Sequence, residues 1–188
     1  MSEIVTGENY DNSAAGRIGN WMQTYTGQQF WPVDPRPEEI HIVDIAHALA
    51  NQCRYAGHCD WFYSVAEHSV LVSHVVQPEI ALIGLLHDAT EAYVCDVPRP
   101  LKPMLPGYKE IESRVWAAIA QRFNLPLEMP DEIKQADNAV LLAESAIIMK
   151  PHPAPWCIPG EAAQVEIECW VPWVAKTRFL RRFKELTA

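Results

Sequence analysis

The 188-residue chain has no unbroken apolar run of the roughly 18 residues a membrane helix needs, so no span is expected. Nor does it have a basic run: 15 Lys and Arg stand against 24 Asp and Glu, a net charge of −9. A chain this acidic is poorly suited to gripping duplex phosphates or an anionic membrane. No nucleic-acid polymer and no membrane are therefore expected as partners. The five cysteines are odd in number and none makes a C-x-x-C pair. That argues against a disulfide framework or a zinc knuckle and favours reduced thiols. Residues 1–16 lack the apolar middle of a signal peptide, so a cytoplasmic location is expected. No internal repeat and no strand series is evident.

What is present is ordinary globular composition, 49% hydrophobic and 21% charged, in a length suited to one domain. Residues 1 to about 20 read as a polar lead, and Trp21–Tyr25 as one helical turn before Gly27. Phe30 to Pro37 holds three prolines, which favour an extended segment; residues 1–40 thus form an N-terminal arm packed on the domain. Residues 41–188 read as the helical core. Its first helix runs from Ile42 to Cys53, with apolar residues at three- and four-residue steps. Ser64 followed by Glu67 makes a capping-box pattern for a helix to about Val76. Pro78 suits the first turn of a helix over Glu79–Val94, apolar on nearly all sides and therefore central. Tyr108–Phe123, Pro130–Met149 and about Trp173–Leu186 complete the set, with proline-rich loops at Val97–Pro106 and Pro151–Pro159. The expected fold class is all-α.

Against the rule that polar groups stay outside, the apolar central segment carries His87, Asp88 and Glu91 at spacings that share one helix face. Bare, they are costly there; a divalent cation makes them tolerable by neutralising charge and taking lone pairs. A lone His-Asp pair says little. His68 in the first turn of the preceding helix and Asp137 in a later one strengthen it. Three antiparallel helices can aim His68, His87, Asp88 and Asp137 at one point. Two imidazoles and two carboxylates suit Mn, Fe, Co, Ni or Zn, with positions left for water and substrate.

His68, then His87-Asp88, then Asp137, with the H-D-x-x-E run ending at Glu91 and a further Asp at 96, resembles the HD-domain phosphohydrolases over about Cys53–Met149. The finer likeness is to a short branch that holds bacterial 5′-deoxynucleotidases and phage dATP triphosphohydrolases, which clear dATP where 2-aminoadenine replaces adenine. The resemblance implies a single HD-domain bundle with His68, His87, Asp88 and Asp137 as metal ligands and Glu91 and Asp96 as an acid/base pair. It also implies Arg54 and Lys102 as phosphate contacts. The glycine usual before the residue matching Asp96 is Cys95 here. The function so implied is metal-dependent hydrolysis of deoxynucleotides. A dATP or dNTP triphosphohydrolase is preferred, a 5′-deoxynucleotidase is the alternative, and a non-catalytic nucleotide-binding domain is the third reading. A phage-encoded copy would act in the host cytoplasm.

The alarmone hydrolases usually place an acid directly after that Glu, where Ala92 stands, and the cyclic-dinucleotide branch needs a Gly-Tyr-Pro motif that is absent. Trp61 and Phe62 read as core rather than as a base-stacking pair, and the Arg178–Lys184 cluster as a solvated helix face. Seven tryptophans and the apolar stretch Cys169–Val174 suggest a homo-oligomer.

Overall fold

The computed structural model describes residues 16–188, and they are mostly helical. The expected polar lead and the first part of the N-terminal arm lie largely outside them. Within them the order is β1 (Met22–Gln23), β2 (Gln29–Phe30), α1 (Ile42–Asn51), α2 (Val65–Val75), α3 (Ala81–Leu86), α4 (Glu91–Val94), α5 (Tyr108–Phe123), α6 (Asp131–Ile148) and α7 (Pro172–Leu186). Short 3₁₀ turns precede α1 at Pro37–Glu39 and α3 at Pro78–Ile80, each opened by its proline.

The helical turn expected at Trp21–Tyr25 is instead the first strand of a hairpin, Met22 facing Phe30 and Gln23 facing Gln29. The turn closes through Gly27 at φ +83°, a conformation glycine adopts without strain. Tertiary contacts decide the issue. Asp44, in the first turn of α1, accepts from the backbone N–H of Thr26 at 2.7 Å and from its hydroxyl at 2.9 Å. Phe30 is fully buried, stacked on Tyr93 at 4.0 Å between centroids.

The single helix expected over Glu79–Val94 is broken between Leu86 and Glu91. His87 Nδ1 donates to the Gly84 carbonyl at 2.8 Å, and the backbone tightens to three-residue bonds at Ala89, Glu91 and Tyr93. A side chain that takes a helix carbonyl competes with the helix's own ladder. Gly84 also lets α2 and α3 approach closely: a Cβ there would lie 3.2 Å from Ser73 Cα.

The most enclosed helix is α2 rather than the segment after Pro78, since every residue from Val65 to Ser73 is buried. One apolar core, with Leu49, Leu86, Ile119 and Phe179, joins it to α1, α3, α5 and α7. On the other side Val140 and Ile148 of α6 meet Leu71, Val72 and Tyr63. Of the capping box, half forms: Ser64 Oγ accepts from Glu67 N at 3.1 Å. The Glu67 carboxylate instead takes the backbone N–H groups of Glu168, Cys169 and Trp170, at 2.9, 3.0 and 2.6 Å.

Two surface readings also change. Tyr63 takes the inward position, so Phe62 and Trp61 face outward, Trp61 at 69% exposure. Arg182 is no solvated charge: it donates to the Ser73 hydroxyl and carbonyl, each at 3.0 Å. All five cysteines are free thiols. Among the described residues no helix is long and apolar enough to cross a membrane.

Candidate metal centre

α2, the α3–α4 junction and α6 bring the expected ligands together. His68, His87 and Asp137 offer ligand atoms that all lie within 4.8 Å of one another. His68 Nε2 is 3.2 Å from Asp137 Oδ1 and 3.7 Å from Asp88 Oδ2, while His87 Nε2 is 3.2 Å from Asp88 Oδ2. Asp88 Oδ2 is thus nearest His87 and also lies 3.5 Å from Arg54 Nη1, and it stands outside the cluster that His68, His87 and Asp137 form.

Both Nε2 atoms are buried without a hydrogen-bond partner. Their opposite nitrogens are engaged: His68 Nδ1 with Glu144 Oε1 at 2.5 Å, His87 Nδ1 with the Gly84 carbonyl. With Nδ1 as the donor in each ring, Nε2 presents its lone pair toward carboxylates, an arrangement that suits a cation. The same carboxylates favour the charged form of the His68 ring. Burial and Arg54 push the His68 pKa down, but Glu144 and Asp137 outweigh them and hold it at about 9. Asp88 and Asp137 lie below the usual carboxylate range, the imidazoles and, for Asp88, Arg54 overcoming burial.

Glu91, expected as acid or base, is buried with Oε2 unpartnered. Burial, then Asp88 and Asp96, push its pKa well up. Burial and Asp88 raise Asp96 as well, against Arg54 and Lys102. Gln52 splices the two acids together, its amide donating to the Glu91 carbonyl at 2.9 Å and accepting from Asp96 N at 3.0 Å. Between them Cys95 sits at φ +67°, ψ +157°, a region that is essentially glycine's.

Arg54 is almost wholly buried and lies 3.2 Å from Glu144 Oε2 through its Nε. It precedes a run of left-handed backbone, Tyr55 at φ +56°, Ala56 at +51° and Gly57 at +79°. Lys102 Nζ is 2.9 Å from Glu112 and 3.7 Å from Glu91; those carboxylates outweigh burial and raise its pKa.

The sequence reading missed Glu144, Tyr55, Tyr63, Gln52, Arg99 and Glu112. Glu144 had a faint signal, since it lies two helical turns after Asp137 and so on the same face of α6. Arg99, within a Pro-Arg-Pro run, pairs with Asp137 Oδ2 and Asn138 Oδ1, both at 3.1 Å.

Beside His87 and Asp88 opens a cavity of about 520 Å³, walled by Glu112, Trp116, Leu127 and Met129. Trp116 is fixed there by donating to the Leu127 carbonyl at 2.8 Å. A cavity of about 580 Å³ between α2 and α7 is lined by His74, Glu166, Glu168 and Glu185, but among the described residues these do not come together as a metal-ligand cluster. Chemistry follows the ligands here, not the larger volume.

Over 171 residues, 89% of this chain and 96% of the relative, the sequence is 37% identical to YfdR of Escherichia coli (strain K12), described as an uncharacterized protein. A Rhodobacter capsulatus protein, likewise described as uncharacterized, is 40% identical over 129 residues, 63% of this chain and 66% of its own length. No family model matches the chain.

Proposed function

For this chain, which belongs to the same family as Escherichia coli YfdR, we propose a metal-dependent phosphohydrolase of deoxynucleotides built on an HD-domain-like bundle. The observation that carries the reading is the pair of buried, unpartnered Nε2 atoms of His68 and His87 converging with Asp137. His68, His87 and Asp137, with Asp88 closing from the Arg54 side, would hold a divalent transition metal such as Mn, Co, Fe, Ni or Zn. Such an ion polarises a phosphoryl oxygen and acidifies water.

The chain's own groups supply the rest. Glu91, whose pKa is raised, accepts the proton of the attacking water in its ionised form. Asp96, also raised, keeps a proton for the departing 5′ oxygen. Arg54 and Lys102 neutralise phosphate charge. The cavity at Trp116 has room for the nucleoside, with the indole as a flat apolar wall.

Three cations around the site, Arg54, Arg99 and Lys102, support a substrate with more than one phosphate, hence dATP or another dNTP. Each is already paired with a carboxylate, which keeps a 5′-deoxynucleotidase as the second reading. Exposed Trp61, Phe62, Val171 and Trp173 support self-association, whereas Trp170 of the same apolar stretch is buried in the chain's own core.

The test incubates Mn- or Co-loaded protein with all four dNTPs and dNMPs and resolves nucleoside, orthophosphate and tripolyphosphate. Deoxynucleoside with tripolyphosphate is the expected product of a dNTP. Orthophosphate from dNMPs alone selects the nucleotidase. Metal retained with no product from either panel overturns both in favour of a binding domain.

A further inference from the structure

Taking His68 as a metal ligand and Arg54 as the anion-holding group, as in the reading above, we propose that Glu144 is a positioning residue that couples the two, so that cation and phosphate strengthen each other's binding. Glu144 stands on α6 and is fully buried. Its Oε1 accepts from His68 Nδ1 at 2.5 Å and from the Tyr63 hydroxyl at 2.8 Å. Its Oε2 accepts from the Tyr55 hydroxyl at 2.6 Å and lies 3.2 Å from Arg54 Nε. Four groups from three stretches of chain thus converge on one carboxylate.

That convergence does more than neutralise a buried arginine. The bond to Nδ1 fixes which His68 nitrogen faces Asp88 and Asp137, and it raises the basicity of that nitrogen. Through Nε the same carboxylate anchors Arg54, whose other end points NH1 at Asp88 Oδ2, 3.5 Å away. The charge of Glu144 is therefore divided between the imidazole and the guanidinium. A cation on Nε2 draws the imidazole's electrons and increases its demand on Oε1. Arg54 is then held less tightly by Glu144 and by Asp88, and is freer to turn its charge to an incoming phosphate. Binding linkage is reciprocal, so phosphate on Arg54 returns the effect to the metal. A carboxylate serving fold alone would give no such link. Tyr55 and Tyr63, neutral donors to the same oxygens, provide the contrast.

The experiment titrates Co²⁺ into the full-length protein, followed by calorimetry and by the Co²⁺ visible spectrum, and then titrates orthophosphate with and without Co²⁺. Glu144→Gln keeps size and one acceptor oxygen while removing the charge. It should weaken Co²⁺ roughly 10- to 100-fold and abolish the metal-dependent gain in phosphate affinity. Tyr63→Phe removes one hydrogen bond and keeps the charge; it should lower the melting temperature and leave Co²⁺ affinity within about twofold of wild type. Should Glu144→Gln not fold, Glu144→Asp decides, since its shorter carboxylate keeps the charge but cannot reach both His68 and Arg54. A folded Glu144 variant with wild-type Co²⁺ affinity and intact linkage overturns the coupling alone. Wild type failing to bind Co²⁺ overturns the metal centre as well.

Discussion

Two glutamates on neighbouring helices are equally hidden from water and have opposite characters. Glu67 of α2 is satisfied by three backbone N–H groups of the stretch before α7. Burial outweighs those bonds and its pKa is raised. Glu144 of α6 is ringed by side chains instead. There burial is overcome by Arg54 and His68, and its pKa falls to about 2. Neutral backbone donors make a buried carboxylate a fastener. Cationic and titratable partners make it part of a charge network facing the cavity beside His87. Burial of an acid is thus no guide to its role; the kind of donor around it is.

The largest expected effect breaks the network. Glu144→Ala leaves Arg54 buried without its main counter-ion, and removing one partner of such a pair costs about 3–5 kcal/mol. Urea unfolding of the metal-free protein measures it, and a loss below about 1 kcal/mol would show that Arg54 finds another partner. Glu67→Ala should cost less, about 2 kcal/mol, because backbone amides near the surface regain water. Co²⁺ affinity should stay at wild type, and a variant that loses the metal would merge the two glutamates into one class.

The capping-box pattern made the start of α2 legible, and Pro78 marked where the next helical segment begins. The clustering of His68, His87 and Asp137 was legible because histidines and acids stand among apolar residues. Glu144 was not, since one acid in Leu141-Leu142-Ala143-Glu144-Ser145 reads as the polar side of an amphipathic helix. Its partner Arg54 lies 90 residues away, and only the folded chain joins them. The break after Leu86 was hidden for a related reason: periodicity registers which face a residue occupies, not that His87 spends its Nδ1 on a helix carbonyl. The β1–β2 hairpin depends on Asp44 and Tyr93, neither of them local.

A third buried acid sharpens the contrast through pH. The folded-state pKa of Glu91 is raised, so its ionised form burdens the native state once pH exceeds the unfolded value of about 4.3. The burden is complete above the folded-state value. Metal-free Glu91→Gln should therefore melt higher than wild type at pH 7–8, and the advantage should vanish near pH 4. Equal curves across that range would mean that Lys102 already compensates the charge. Under the proposed function, hydrolysis by the same variant should be lost, and the site would trade stability for chemistry.

The smallest effect concerns Cys95, which stands in backbone that favours glycine. Cys95→Gly should gain about 1 kcal/mol, read as a higher melting temperature with metal binding unchanged. A lower one would assign the thiol a packing role that outweighs the strain.

The C-terminal stretch is sutured to α2 at two places, Glu67 to residues 168–170 near one end and Ser73 to Arg182 near the other. The link between α6 and this stretch, 149–160, is mostly exposed and rich in proline. A protease nick there severs the covalent path and leaves both sutures in place. The two fragments should then travel as one particle, and the piece carrying His68, His87, Asp88 and Asp137 should need its severed neighbour as a scaffold. In its wiring the molecule is a split protein already joined.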